Sequence, residues 1–284
     1  MSHVVSSPPP PFRVAGGALE VHAVPAATDN LVWLLRCTAT GEVAVVDGPD
    51  AQAAQAWCEA HGARLSAIWN THTHPDHIGI NRALQEQGAL PPAVVGPRAV
   101  AGDIPGLTRG VGEGDEVRLG AVTARVWETP GHIRGHVSYV VDGAVFCGDT
   151  MFAGGCGRIF DGTPEQLFTS LRRLAELPPD TLVCCAHEYT QDNLRFAWSV
   201  EPDNAELAER IRRVWAVRAD GRSAVPSTIA TERATNPFLR PGSPAVAAAV
   251  GGGDAQAVFT ALRKRKDEGA YRDAGDAGLP PAAP

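Results

Sequence analysis

The spacing of hydrophobic and polar positions divides the chain in two. Up to about residue 190, short apolar runs alternate with amphipathic stretches; beyond it only helical spacing remains. Residues 1–16 are rich in Pro and Gly and predict an irregular lead-in. Strand-like runs follow at Ala18–Val24, Leu31–Cys37 and Glu42–Asp47, the last punctuated by Asp47-Gly48-Pro49. Ala51–His61 reads as a helix, Arg64–Asn70 as a strand, Ile78–Gln87 as a helix and Ala93–Val95 as a short buried strand. Val117–Trp127 and Val137–Cys147 are strand-rich, with Asp142-Gly143 as a hairpin turn in the second. At Thr163-Pro164-Glu165-Gln166 a helix start is written out: Thr163 suits the N-cap, Pro164 the first turn, and Gln166 the capping-box position. Leu182–Cys185 is the last predicted strand.

In the second part, Leu194–Val200, Asn204–Arg218 and Ala255–Lys266 are predicted helices, the last ending in basic residues that suit a helix C-terminus. Pro241–Gly253 is Ala-, Gly- and Pro-rich, and residues 273–284 read as a disordered tail. The expected organisation is an α/β domain over 1–187 and a small α-helical domain over 188–284. No repeat at solenoid periods is present.

Composition narrows the class. With 284 residues, the chain can bury a sizeable core without disulfides. Its apolar runs fall short of the ~20 residues of a membrane span, and its N-terminus has no charged segment followed by an apolar one, as a secretory signal would. The six cysteines are scattered, form no Cys-x-x-Cys pair, and predict reduced thiols in a cytoplasmic protein. A net charge of −7 argues against nucleic acid as a partner.

Candidate chemistry centres on His72-Thr73-His74-Pro75-Asp76-His77. After a strand, His72 and His74 can project to the same side, and imidazole is a common transition-metal ligand. Three further donors stand where apolar strands end: His132 after Thr129-Pro130-Gly131, Asp149 after Cys147-Gly148, and His187 after Cys184-Cys185-Ala186. A lone strand-end His or Asp is ordinarily a turn residue. Several at strand C-terminal ends, together with the His-rich segment, predict one metal site assembled from loops at one sheet edge. His136 reads as a supporting or packing residue. His3, His22 and His61 have no supporting context.

These segments, with Gly155-Cys156-Gly157-Arg158, His187-Glu188-Tyr189-Thr190, Asn236-Pro237-Phe238-Leu239-Arg240 and Arg263-Lys264-Arg265-Lys266-Asp267, resemble the metallo-β-lactamase superfamily. Within it they resemble the hydroxyacylglutathione hydrolases (glyoxalase II), over residues 18 to about 272. The resemblance implies a four-layer αββα sandwich followed by the helical domain. It also implies two divalent metal ions, zinc with iron or manganese as alternatives. One would be held by His72, His74 and His132, the other by Asp76, His77 and His187, with Asp149 bridging. Asp76 would also orient the nucleophile.

The implied activity is hydrolysis of S-D-lactoylglutathione and other 2-hydroxyacyl-glutathione thioesters, the second step of methylglyoxal detoxification, by a monomer. Arg158, Tyr189, Arg263 and Lys266 match positions that hold glutathione, whose two carboxylates suit cations. Phe160 stands where some members have Tyr, which removes a hydroxyl from that site. The nearest alternative is a mononuclear iron persulfide dioxygenase of the same superfamily, which typically lacks the extended helical domain with its basic helix end. Lactonases, β-lactamases, superfamily nucleases and a catalytically silent module fit the residues less well.

Overall fold

A computed structural model describes residues 3–280. One sheet has the order β1 (Phe12–Val14), β2 (Leu19–Ala26), β3 (Asn30–Cys37), β4 (Val43–Val46), β5 (Leu65–Trp69), β6 (Ala93–Pro97), β7 (Arg109–Val111). It is antiparallel through β4 and parallel from there on. The second sheet contains β8 (Glu116–Leu119), β9 (Val122–Glu128), β10 (Val137–Val141) and β11 (Ala144–Gly148). β12 (Met151–Phe152) and β13 (Gly155–Cys156) form a separate ribbon, and β14 (Leu182–Cys185) lies parallel to β11 in the second sheet.

Both faces of the first sheet are buried, which is why β3 to β5 read as continuous apolar runs. Trp33, Leu35, Ala44, Val46 and Trp69 face the second sheet. Val32, Leu34, Val43, Val45 and Ile68 face α1 (Gln52–Ala60) and α2 (Pro75–Glu86) on the outside. The Val, Leu and Ile side chains among these contribute about 1.5–3 kcal/mol each when fully buried. Side-chain hydrogen bonds tie the two sheets together: Trp33 Nε1 donates to the Cys185 carbonyl at 3.0 Å, and the Tyr139 hydroxyl to that of Asn70 at 2.8 Å. On the far side, α3 (Pro164–Leu174) packs Leu167, Leu171 and Leu174 into the core, completing the αββα layers, and its predicted capping box is formed.

The helical region comprises α4 (Thr190–Val200), α5 (Ala205–Ala219), α6 (Ile229–Thr235), α7 (Pro244–Ala249) and α8 (Ala255–Glu268). Phe196, Phe238, Val258 and Phe259 join the same apolar core as the two sheets, so the helices continue that core. No helix among the described residues is long and apolar enough to cross a membrane.

The structure corrects several expectations. The Pro-rich lead-in carries an edge strand: Phe12-Arg13-Val14 follows the prolines and pairs with β2. α2 starts at Pro75 rather than Ile78, because His74 is extended (φ −61°, ψ 147°) and Pro75 occupies the first helical position. α4 starts at Thr190 rather than Leu194. Strands do not end at residue 190, since β15 (Ser227–Thr228) pairs antiparallel with β14. The predicted tail is fixed over 273–280: Asp276 pairs with Arg195 at 2.6 Å and accepts from Trp215 Nε1 at 3.1 Å, and Trp198 Nε1 donates to the Gly278 carbonyl at 2.7 Å. The remainder of that tail, 281–284, lies outside the described residues.

Candidate metal centre and adjoining pocket

The donors converge from loops at one edge of the sandwich. His72 and His74 leave β5, and Asp76 and His77 occupy the first turn of α2. His132 comes from the β9–β10 connection, Asp149 follows β11 and His187 follows β14. Nδ1 of His74 lies 3.1 Å from Nε2 of His72 and 3.0 Å from Nε2 of His132. Nε2 of His187 lies 3.3 Å from Oδ2 of Asp76, and Nε2 of His77 lies 3.6 Å from the same oxygen. Asp149 faces both groups. Its Oδ2 is 3.5 Å from His132 Nε2, while its Oδ1 is 3.4 Å from His77 Nε2 and 3.5 Å from His187 Nε2.

This arrangement fits two cations. His77 Nε2 and Asp149 Oδ1 are buried without a hydrogen-bond partner, a costly state for polar atoms that a coordinated cation relieves. His72, His74, His132 and Asp149 place ligand atoms within 4.8 Å of one another, and so do Asp76, His77 and His187. Burial and neighbouring imidazoles push His72 well below the ordinary histidine range, and burial also lowers His74 and His132. These rings are therefore neutral and have a lone pair to offer. In the other group, burial opposes charge on His187, but the carboxylates of Asp149, Asp29 and Asp76 outweigh it and push the ring up to about 10. Carboxylates that hold a proton there would equally favour a cation in its place.

His77, His187 and His132 are each oriented from behind by a group to which the sequence reading did not assign that role. Asp47 Oδ2 lies 2.9 Å from His77 Nδ1 and accepts from the Thr71 hydroxyl at 2.6 Å; Oδ1 accepts from Thr71 N at 2.8 Å. Asp29 Oδ1 lies 2.7 Å from His187 Nδ1, and the Arg158 carbonyl 2.6 Å from His132 Nδ1. Asn30 Nδ2 donates to Asp76 at 3.0 Å. Such partners fix the tautomer and raise ligand basicity. The available signal was Asp47 itself, which ends a buried strand before a glycine; it reads equally well as simple punctuation.

His136 has the expected supporting place. It is buried, stacks on His72 at 4.7 Å, and its Nε2 accepts the Asp149 amide at 3.2 Å. His22 and His61 pack around Trp57, away from the centre. His3, in contrast, does have context: its Nε2 lies 2.9 Å from the Asn30 carbonyl oxygen.

A cavity of about 340 Å³ opens beside the centre and is lined by Arg158, Tyr189, Arg263 and Lys266 together with Phe152 and Arg272. Tyr189 stacks on His187 with ring centroids 4.8 Å apart, which joins cavity and centre. Arg158 is exposed, 5.8 Å from the Phe160 ring, and Phe160, 61% exposed, edges onto His74 and His132. Arg263 and Lys266 do not form a solvated helix end. Both are buried, because α8 turns them inward onto the β12–β13 ribbon and α4. Arg263 Nη1 donates to the Cys156 carbonyl at 3.1 Å, and Nη2 pairs with Asp267 at 2.9 Å. Lys266 donates to Asn193 Oδ1 and lies 3.5 Å from Asp192. Arg272, which the sequence reading left out, also pairs with Asp192 at 2.8 Å.

The loop between centre and cavity is packed to backbone contact. A Cβ on Gly157 would stand 2.1 Å from the Asp149 carbonyl oxygen and 2.8 Å from His132 Nδ1. The helical region clamps this loop. Glu232 accepts from Gly154 N at 2.8 Å, Asn236 Nδ2 donates to the Gly155 carbonyl at 2.9 Å, and Asn193 Nδ2 to that of Ala153 at 3.1 Å.

Residues 27–187 match the metallo-β-lactamase superfamily, and residues 188–269 match the hydroxyacylglutathione hydrolase C-terminus. A hydroxyacylglutathione hydrolase of Gloeobacter violaceus is 50% identical over 250 residues, 87% of this chain and 98% of that protein. The chain belongs to the hydroxyacylglutathione hydrolase family. A member from Methylococcus capsulatus is 46% identical over 253 residues, 88% of this chain and 98% of that protein. Among solved structures, ETHE1 from Myxococcus xanthus superposes with a TM-score of 0.60 at 24% identity, covering 95% of this chain and 96% of its own. The BLEG-1 B3 metallo-β-lactamase does so at 0.57 and 21% identity, covering 78% and 99%. At such identities these two establish the shared fold alone.

Proposed function

We propose that this family member hydrolyses 2-hydroxyacyl-glutathione thioesters, S-D-lactoylglutathione foremost, to glutathione and the free hydroxy acid. The observation that carries the reading is the cationic cavity opening beside His187, joined to the centre by the Tyr189–His187 stack. His72, His74 and His132 would hold one divalent cation, Asp76, His77 and His187 the other, with Asp149 offering one oxygen to each. Zinc suits this nitrogen- and oxygen-donor set, and iron or manganese are the alternatives. When bound, such cations supply Lewis acidity that polarises a carbonyl and makes water nucleophilic at neutral pH.

The chain's own residues do the rest. Asp47 and Asp29 hold the His77 and His187 rings in position, and the Thr71 hydroxyl lies 2.9 Å from His72 Nδ1. Burial pushes the Asp76 carboxyl up, but His187, His77 and Asn30 outweigh it and hold it well below the usual range. Ionised and half-open, Asp76 can accept a hydrogen bond from the attacking water and orient it. Arg158, Lys266 and Arg272 present positive charge to the glutathione carboxylates, and Arg263 holds the Cys156 carbonyl beneath them. The departing thiol has a pKa near ~8.5, so no strong general acid is needed. Six free, buried cysteines suit the cytoplasm.

The test is hydrolysis of lactoyl thioesters of glutathione and of other small thiols, with metal analysis on the same sample. The reading expects two metals per chain, a preference for glutathione, and loss of turnover on chelation. Full activity in metal-stripped protein, or no preference among thiols, would overturn it.

A further inference from the structure

The first described residues cross from the helical region to the metal centre. Ser6 and Ser7 donate their amides to the Gly221 carbonyl at 2.9 and 3.0 Å, and Arg218 Nη2 donates to the Val4 carbonyl at 2.5 Å. Val5 is buried in the main core. Further toward the N-terminus the segment meets the β2–β3 turn. Val4 N donates to the Thr28 carbonyl at 2.8 Å. His3 Nδ1 accepts from Val5 N at 2.8 Å, which leaves Nε2–H to donate to the Asn30 carbonyl at 2.9 Å.

That turn carries the two residues that orient one half of the centre: Asp29, on His187 Nδ1, and Asn30, on Asp76 Oδ2. It is also strained, because Ala27 has φ +50°, a left-handed conformation unfavourable for a residue with a Cβ. Strained turns persist only where their surroundings over-determine them. Here the surroundings are the pairing of Asn30 with His187 on the inner side and the His3–Val5 contacts on the outer side.

We propose that the segment His3–Ser7 is a positioning strap. By holding the Thr28–Asn30 turn against the site, it aligns Asp76 and His187 and so raises the affinity of their half of the centre for its cation. The strap itself touches neither His72, His74 and His132 nor the residues lining the cavity, so its effect falls first on the half that holds Asp76 and His187. The inference rests on the dinuclear reading above.

The test uses full-length, zinc-loaded wild type, His3→Ala and His3→Gln, with zinc per chain counted as a competing chelator is titrated, and kcat and KM measured on the loaded forms. Gln can donate from its amide nitrogen where the His3 ring does, so it serves as the conservative rescue. His3→Ala is expected to release one of its two ions at roughly tenfold lower chelator, the lower end of the range for residues that support ligands. The second ion stays unchanged and kcat falls, while His3→Gln follows wild type. Identical release curves for all three proteins, an equal shift of both ions, or failure of Gln to rescue would overturn the strap. A wild type that never holds two ions would instead overturn the dinuclear reading, and the strap's role with it.

Discussion

Asp47 Oδ2 lies 2.9 Å from Nδ1 of His77, and Asp47 itself has a left-handed backbone, φ +56°. A carboxylate is therefore held in an unfavourable conformation to brace one imidazole. Its other contacts go to Thr71, so one side chain ties the end of β4 to both ends of the His-rich segment. Asp47→Ala is expected to lower the affinity for the cation at His77 by roughly 10–100-fold. Chelator competition monitored by metal content checks this, and an unaltered affinity would remove Asp47 from the site.

Gly157→Ala should fail for a steric reason. The added methyl meets the backbone oxygen of Asp149, which no rotamer change can clear. Overpacking of this kind costs about 1–3 kcal/mol. Here it is also delivered to Asp149 and to His132. Lower denaturation midpoint and reduced metal content are expected together; a variant with wild-type values for both would contradict the packing.

Burial lowers Lys266 to about 7, with Asp192 opposing the shift and Arg263 adding to it. The cation is therefore present below about pH 7 and is lost above it. KM for an anionic thioester should rise as pH passes upward through that value, with kcat little changed. Lys266→Met should abolish this inflection in a kcat/KM profile. The stability effect has a definite sign as well. Between about pH 7 and the ~10.4 of an unfolded lysine, the unfolded chain binds the extra proton, so stability contributed by this group rises with pH.

Glu232 is fully buried, with Oε1 2.5 Å from Arg210 Nη2 and 2.5 Å from the Ser227 hydroxyl, while Oε2 serves Gly154 and Asn236. Glu232→Ala leaves Arg210 buried without its charge partner, and removing one member of such a pair costs about 3–5 kcal/mol. Urea unfolding should register that loss. In whatever fraction stays folded, the freed 153–157 loop should raise KM for the thioester. A destabilisation under about 1 kcal/mol would show that water replaces the carboxylate readily.

The convergence of the candidate metal donors was legible because they are concentrated: four lie within residues 72–77 and the others each close an apolar strand. Their supports were not, since Asp29, Asn30 and Asp47 stand in turns where a polar residue needs no special explanation. Helix starts were legible where side-chain chemistry marks them, as at Thr163. α2 was placed late because Pro75 and Asp76 looked like part of a metal loop, when they also form the first helical turn. α6 was missed because it is short and its sequence, Ile-Ala-Thr-Glu-Arg-Ala-Thr, carries a buried glutamate where an apolar residue would have revealed the period. Arg263 and Lys266 were legible as a basic pair near the end of the last helix, but their burial was not, since a basic helix end is ordinarily solvated and only tertiary packing turns these two inward.

Both described ends of the chain fasten to the same helix. Ser6 and Ser7 hold Gly221 just beyond α5, Arg218 within it grips Val4, and Asp276 near the other end accepts from Trp215 of α5. A pulling force applied between the ends would be borne first by these side-chain and loop contacts, leaving the β-ladders unloaded. The earliest mechanical event would be the peeling of the His3–Ser7 segment or the residues beyond Arg272, and the first of these would slacken the Asp29–Asn30 turn before any strand parted.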